Sequence, residues 1–153
     1  MSDQLGFFAT PPDLPVMPDG FRYQADVIGA STLRKVDDIP PFLQRLRETA
    51  ASFADVEPAA LQHVLVTEYG AGAGIGWHRD KAVFGDVIGF SLLAPCVFRL
   101  RRQEGSGWSR ASITAEPRSA YLLRGPSRTV WEHSIPPVDA LRYSLTFRNL
   151  RER

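Results

Sequence analysis

The sequence has a single cysteine, Cys96, and it lacks any long apolar run. One cysteine cannot form a disulfide within the chain, which excludes a disulfide-stabilised fold and fits a reducing compartment. The longest apolar stretch, residues 87–98, is interrupted by Gly89, Ser91 and Pro95, so it falls short of the ~18 residues of a membrane span. No basic segment precedes an apolar run near the N-terminus, so we expect no secretory signal. The sequence therefore predicts a cytoplasmic protein that does not enter a membrane.

Charge is nearly balanced overall, with 18 Lys and Arg against 17 Asp and Glu, but the two signs are unevenly distributed. Residues 1–80 carry 6 basic and 11 acidic side chains, whereas residues 81–153 carry 12 and 6. All but one of the later basic residues are arginine, which suits bidentate contacts with phosphate and carboxylate groups. The asymmetry permits a polyanionic partner, and it is equally compatible with charges that mix once the chain is folded.

Length and composition predict one domain. The chain has 153 residues, of which 44% are hydrophobic and 23% charged, as is usual for a globular domain. We expect a single domain over residues 1–153, acting as a monomer. Within it we predict a proline-rich arm (1–19), a short region (20–39), and a helix followed by a β-rich part (40–153).

The chain after residue 40 predicts one helix and then many strands. Apolar residues recur at helical spacing from Phe42 to Phe53, and the prolines at 40 and 41 suit a first helical turn. A second short helical turn is possible near residues 57–62. Strands are predicted at 20–28, 63–69, 75–77, 87–92, 96–101, 108–114, 120–123, 132–135 and 142–149. Many short strands separated by turn residues favour a mainly β sandwich or barrel, of which the jelly roll is one form.

A candidate metal site begins at His78 and Asp80. Residues two apart on a strand point to the same side, so both side chains can face one ion. His133 is the leading candidate for a third ligand. Two histidines and one carboxylate form the facial triad of non-haem Fe(II) oxygenases.

The last predicted strand alternates strictly between polar and apolar residues. Arg142, Ser144, Thr146 and Arg148 share one face of this strand. Two guanidinium groups on one face are costly to bury unless they meet anions. A dicarboxylate would satisfy both through charge-assisted hydrogen bonds.

Tyr69, His78-x-Asp80, His133 and the closing Arg-x-Ser-x-Thr-x-Arg run together resemble the AlkB-like family of Fe(II)/2-oxoglutarate-dependent dioxygenases. The resemblance covers roughly residues 60–150. The family's closing motif has asparagine where this chain has Ser144. The resemblance implies a double-stranded β-helix, that is, a jelly roll with one or two supporting N-terminal helices. It also implies an enzyme that uses Fe(II), 2-oxoglutarate and O2.

The resemblance further implies a role for each matching residue. His78, Asp80 and His133 would bind iron. Arg142 would bind the far carboxylate of 2-oxoglutarate with help from Tyr69, and Arg148 would contact the carboxylate near the metal. The other implied co-substrate contacts are Thr67, Ile75, Ser144 and Thr146.

The implied activity is oxidative demethylation of N-alkylated nucleobases in DNA or RNA, with release of formaldehyde, succinate and CO2. Such a DNA-repair demethylase acts on nucleic acid and must flip the damaged base out of a duplex. The region that selects the base in the family is shortened here, with Gly20–Tyr23 resembling its end, and Ala82 stands where some relatives have an acidic residue. Two alternatives therefore stay open: an oxygenase acting on a protein or small molecule, and a non-catalytic jelly-roll binding module.

The family resemblance implies no role for a basic hairpin and three tryptophans. Four arginines flank the turn at residues 104–107, namely Arg99, Arg101, Arg102 and Arg110. They are either solvated surface charges or phosphate contacts. Trp77, Trp108 and Trp131 are either core and rim aromatics or stacking surfaces for bases.

Overall fold

The computed structural model describes residues 17–28 and 39–151, with the side chains of residues 39–42 left out. The predicted proline-rich arm therefore lies outside the described residues except for residues 17–19. Residues 29–38 of the predicted short region (20–39) also lie outside them. The division of the chain into an arm, a short region and a catalytic part stays a prediction.

The described chain forms nine strands in two antiparallel sheets. One sheet has five strands in the order β1-β7-β4-β9-β2, and the other has four in the order β3-β8-β5-β6. The elements are β1 (Arg22–Gln24), α1 (Ile39–Ala54), β2 (His63–Tyr69), β3 (Ile75–His78), β4 (Phe84–Leu92), β5 (Cys96–Glu104), β6 (Gly107–Ala115), β7 (Ser119–Leu123), α2 (Pro126–Thr129), β8 (Glu132–Ile135) and β9 (Arg142–Leu150). The predicted mainly β, jelly-roll fold is confirmed.

Helix α1 covers the outer face of the five-stranded sheet. Its apolar stripe, which includes Leu46, Ala50 and Phe53, is buried against Ile88 and Phe147 of the sheet. Fully burying a side chain such as Leu or Phe stabilises the fold by roughly 1.5–3 kcal/mol. This packing fixes β4 and β9 at the centre of the sheet. Neither described helix is long and apolar enough to cross a membrane.

A second apolar core fills the space between the two sheets. Phe98 and Leu100 of β5 meet Tyr121 and Leu123 of β7 and Ile135 of β8. Strand β9 contributes to both sides of its sheet because successive side chains point to opposite faces. Its Leu145 and Phe147 join the core under α1, while the polar residues of its other face are buried on the inner side. The predicted two faces of this strand are thereby confirmed.

Some predicted boundaries were wrong. Only Arg22–Gln24 of the predicted strand 20–28 is a strand, paired with β7, because the chain turns at Asp26. Asp26 has a φ of 53°, a left-handed conformation that Asp tolerates better than most residues. Strand β4 begins at Phe84 rather than at residue 87, with a register shift against β9 between the two positions. The possible helical turn near residues 57–62 is a 3-10 turn at Pro58–Ala60.

Candidate active site

The three candidate metal ligands meet between the two sheets. His78 ends β3 and lies directly opposite His133 of the neighbouring strand β8. Asp80 follows two residues later and turns to the same side. One ligand atom of each side chain lies within 4.8 Å of the other two, and these three residues form the one such cluster within the described part of the chain. The β3–β8 register thus brings together His78 and His133, which are 55 positions apart in the sequence.

Hydrogen bonding orients the His78 ring. Its Nδ1 lies 2.8 Å from the carbonyl oxygen of Gly76, a contact in which Nδ1–H is the donor. That tautomer leaves the lone pair of Nε2 available, as is usual for a metal-binding histidine. The Nε2 atoms of His78 and His133 lie 3.8 Å and 3.6 Å from the same oxygen of Asp80, Oδ1. Two nitrogens and one oxygen therefore converge on one point.

Arg148 holds the other oxygen of Asp80. Its Nε donates a hydrogen bond of 2.7 Å to Oδ2, which leaves Oδ1 directed at the two histidines. Burial on its own raises the pKa of Asp80, but the charge and hydrogen bond of Arg148 outweigh it and hold this pKa below its usual value. Asp80 is consequently an ionised carboxylate at neutral pH.

His133 is neutral in its surroundings. Its side chain is buried and stacks on the Phe98 ring, with 5.4 Å between ring centres. Burial, followed by the nearby His78, lowers the pKa of His133 to about 4. Neutral imidazole is the form that binds metals. The electrostatics of the cluster, with one anion and a neutral ring, suit a divalent cation.

A cavity of about 110 Å³ opens beside this cluster. Every site residue predicted from the sequence lines it, with the single exception of Arg142. Besides the three candidate ligands, the lining residues predicted from the sequence are Thr67, Tyr69, Ile75, Ser144, Thr146 and Arg148. Hydroxyl groups from two strands thus face an apolar side chain across the cavity.

Arg142 lies behind the cavity wall and is fully buried. Its guanidinium covers the Tyr69 ring at 5.1 Å, and its Nε donates to the Ser91 hydroxyl at 2.9 Å. Neither terminal nitrogen of Arg142 has a hydrogen-bond partner among the described residues. A buried, incompletely paired guanidinium costs several kcal/mol, roughly. Its donors therefore fit an anion, as a carboxylate of 2-oxoglutarate would provide.

Several side chains in and around the site were missed from the sequence. Tyr121 and Phe98 also line the cavity. Arg128 of α2 is buried and donates hydrogen bonds of 2.6–3.0 Å to the backbone carbonyls of Lys81, Phe84 and Gly85. It thereby fixes the loop that follows Asp80. No sequence pattern marks these residues, because their neighbours come from distant parts of the chain.

A larger groove of about 690 Å³ lies elsewhere, between β1 and α1. Arg22, Phe53 and Asp55 are among its lining residues, and none of the three candidate metal ligands lines it. The groove is open to solvent. Chemistry is better supported in the smaller cavity, which is lined by the three candidate ligands and backed by the incompletely paired guanidinium of Arg142.

Comparison with known proteins shows the family. The family model described as the 2OG-Fe(II) oxygenase superfamily matches residues 12–148. The "Alkylated DNA repair protein ALKBH8 homolog" of Arabidopsis thaliana is 28% identical over 138 residues, covering 76% of this chain and 40% of that protein. "Uncharacterized protein L905" of Acanthamoeba polyphaga mimivirus is 28% identical over 127 residues, covering 73% and 59%. The chain spans about half the length of these two curated relatives.

A solved structure shares the fold. The crystal structure of a Pseudomonas putida prolyl-4-hydroxylase superposes with a TM-score of 0.60 at 12% identity, covering 88% of this chain and 94% of that one. Members of the matched family use Fe(II), 2-oxoglutarate and O2, so the predicted enzyme class and cofactors are confirmed at the level of the family. The AlkB-like resemblance is confirmed at the same level. Since the match includes every residue of the cavity and its buried arginine, the chain belongs to the 2OG-Fe(II) oxygenase superfamily.

Proposed function

We propose that this chain is an AlkB-like Fe(II)/2-oxoglutarate-dependent oxygenase that oxidatively demethylates N-alkylated nucleobases in DNA or RNA. The observation that carries the proposal is the convergence of His78, Asp80 and His133 at a cavity that is backed by the incompletely paired guanidinium of Arg142. This arrangement combines a facial set of metal ligands with a buried anion site.

Each ligand has an assigned atom in this proposal. His78 and His133 would bind Fe(II) through Nε2, and Asp80 would bind it through Oδ1 while Arg148 holds Oδ2. The bound iron would supply oxidation of a substrate C–H bond, coupled to decarboxylation of 2-oxoglutarate to succinate and CO2. Arg148 keeps Asp80 ionised and prevents it from rotating away from the metal. Phe98 packs on His133 and excludes water from that side.

The co-substrate would occupy the cavity lined by both sheets. Arg142 and Tyr69 would take one carboxylate through charge-assisted hydrogen bonds, and Arg148 would contact the other. Ile75 packs against the methylene chain. The hydroxyls of Thr67, Ser144 and Thr146 line the same cavity. Its volume of about 110 Å³ is small for a ligand pocket, so the co-substrate fills it and the substrate meets the metal from the mouth.

Two observations favour a nucleic-acid substrate. Arg79 and Lys81 flank Asp80 and are exposed, as is Arg151, whose backbone N–H bonds to Val83 of the same loop. This basic rim suits phosphate groups. A similar protein is named an alkylated DNA repair protein. Hydroxylation of an N-methyl group gives a hemiaminal, which breaks its C–N bond to release formaldehyde and the unmodified base.

The test is turnover of methylated oligonucleotides with Fe(II), ascorbate and 2-oxoglutarate. We expect equal amounts of succinate and formaldehyde, and an oligonucleotide lighter by one methylene per event. Asp80→Ala and His133→Ala should abolish all three. An anaerobic titration with Fe(II) and 2-oxoglutarate should give a visible charge-transfer band. Absence of both the band and 2-oxoglutarate turnover in folded protein would instead identify a binding module.

A peptide substrate is the alternative, and the mouth of the cavity provides one reason to test it. Leu65 on β2 and Ile75 on β3 are exposed and line the cavity. Among the described residues β2 pairs only with β9, so its other edge can accept an extended peptide. Succinate formation that depends on peptides and not on methylated oligonucleotides would favour this alternative.

A further inference from the structure

The outer face of the four-stranded sheet carries a cluster of arginine and tryptophan side chains. We call it the Arg–Trp face and define it by Trp77 on β3, Arg99 and Arg101 on β5, and Trp108 and Arg110 on β6. These side chains alternate with inward-facing neighbours along each strand. The face therefore lies on the opposite side of the sheet from the cavity.

Its centre is a stack of alternating rings and guanidinium groups. The Arg101 guanidinium lies 4.4 Å from the Trp77 ring centre and 4.1 Å from that of Trp108. Arg99 covers Trp77 at 5.0 Å. Glu132 accepts a hydrogen bond of 2.9 Å from Arg101, and it is the one carboxylate paired with an arginine of this face among the described residues. The face therefore keeps an excess of positive charge.

Two features of the face work against stability. Arg110 is directly opposite Arg101 in the β5–β6 ladder, and like charges in that position repel each other. Trp108 is 44% exposed, although it is one of the largest apolar side chains. Beside them lies a groove of about 280 Å³, lined in part by Trp77, Arg99 and Arg110. An exposed ring on the same strand face as an exposed guanidinium, as Trp108 and Arg110 are, is a feature of a binding surface.

We propose that the Arg–Trp face binds single-stranded nucleic acid, with bases stacking on Trp108 and phosphates paired with Arg99 and Arg110. The inference deepens the proposed function and rests on its nucleic-acid substrate. Aromatic platforms combined with cations are how single strands are bound without sequence preference. An acidic peptide would use the arginines but would leave the exposed ring without a partner. The combination of charge and ring therefore favours nucleic acid.

The location of the face connects it with the catalytic cavity. Trp77 precedes His78, and β3 is an edge strand of its sheet. The neighbours of His133 along β8, Glu132 and Ser134, point to the Arg–Trp face and bond to Arg101 and Arg99. A strand lying on the face can pass around the β3 edge to the mouth of the cavity. The face would thus hold nucleotides next to the one being oxidised.

The test is fluorescence anisotropy with a labelled, unmodified single-stranded oligonucleotide, in the full chain carrying His133→Ala so that turnover plays no part. Trp108→Ala should weaken binding by about fivefold or more, given the measured worth of base stacking. Arg110→Ala should weaken binding and reduce the slope of log affinity against log salt by about one contact. Trp108→Phe should retain most of the affinity, because it keeps a ring. Arg45→Ala on α1, an exposed arginine beyond the other sheet, is the charge-matched control.

Each outcome decides one point. Unchanged affinity in both Trp108→Ala and Arg110→Ala, with the fold intact by thermal unfolding, would overturn the proposal. If Trp108→Ala and Arg110→Ala lose only as much affinity as Arg45→Ala does, binding depends on net charge alone. That result would also overturn the proposal. Tighter binding of a polyglutamate peptide than of the oligonucleotide would assign the face to acidic proteins. Turnover of a methylated nucleoside by the Trp108→Ala variant tests the proposed function independently, because so small a substrate needs only the cavity.

Discussion

Two buried arginines, Arg142 and Arg128, should respond to the same substitution in opposite ways. Both side chains are removed from solvent, but their donors differ. Arg128 donates to three backbone carbonyls, whereas both terminal nitrogens of Arg142 lack partners among the described residues. If those nitrogens await a carboxylate of 2-oxoglutarate, replacing Arg142 should harm binding and spare the fold.

The size of each effect follows from these contacts. A hydrogen bond to a charged group contributes ~1.5–3 kcal/mol, so losing two in Arg142→Met should weaken 2-oxoglutarate binding by about 100-fold or more. The free energy of unfolding of the ligand-free variant should not fall, since the substitution removes a buried charge whose two terminal nitrogens lack partners among the described residues. Arg128→Met leaves three carbonyls without donors and should cost about 3 kcal/mol or more.

The assay is urea unfolding of both variants with and without 2-oxoglutarate, in the presence of Mn²⁺ as a redox-inactive metal. Saturating 2-oxoglutarate should stabilise the wild type by about 2.7 kcal/mol at 100 times its dissociation constant. The same concentration of 2-oxoglutarate should leave the free energy of unfolding of Arg142→Met almost unchanged. Wild-type affinity in Arg142→Met, or a loss of stability as large as that of Arg128→Met, would refute the anion-site argument.

Three further predictions concern packing and ionisation. In Gly89→Ala the new Cβ would lie 2.2 Å from the Tyr121 ring, so we expect this variant to be less stable by roughly 1–3 kcal/mol in thermal unfolding. The control is Gly70→Ala, where the new Cβ would have no atom within 4 Å. Burial raises the pKa of the Cys96 thiol, so the contribution of the neutral thiol to stability is complete below about pH 8.5 and declines at higher pH. Iodoacetamide should alkylate this thiol only as the protein unfolds. The lowered pKa of Asp80 contributes stability above about pH 3.9 that is lost as the pH falls through the folded-state value, and Asp80→Asn should flatten this part of the metal-free pH profile.

These three predictions have clear contradicting results. Equal melting temperatures for Gly89→Ala and Gly70→Ala would mean that Tyr121 moves without cost. Rapid alkylation of Cys96 in native buffer would show that the thiol is accessible. An unchanged acid limb in Asp80→Asn would show that the pair with Arg148 does not contribute to stability.

The parts of the site with a local pattern could be predicted from the sequence. The strict alternation of β9 identified the polar face from Arg142 to Arg148, and the spacing of His78 and Asp80 implied a shared direction. A strand has a period of two, so its inward residues can be found without knowing its partners. The short strands and turn residues predicted a mainly β sandwich or barrel, and the family resemblance implied that it is a jelly roll.

The rest of the site depends on contacts that no local pattern encodes. Tyr121 reaches the cavity because β7 pairs with β4 and Gly89 leaves room for its ring. Arg128 fixes the loop after Asp80 from a four-residue helix that the sequence presents only as a turn with glycine and proline. Asp26 ends β1 through a left-handed turn. Each of these facts follows from tertiary packing, which overrides local preference.

The direct pairing of His78 with His133 has a consequence for dynamics. Strand β3 has four residues, pairs only with β8 among the described strands, and its register against β8 is irregular. Such an edge strand opens locally at low free energy. A metal held by one histidine from each strand acts as a cross-link that must break before β3 can separate. Amide hydrogens of Ile75–His78 should therefore exchange with solvent quickly in the metal-free protein and slowly once the metal is bound, while those of β4 stay unchanged.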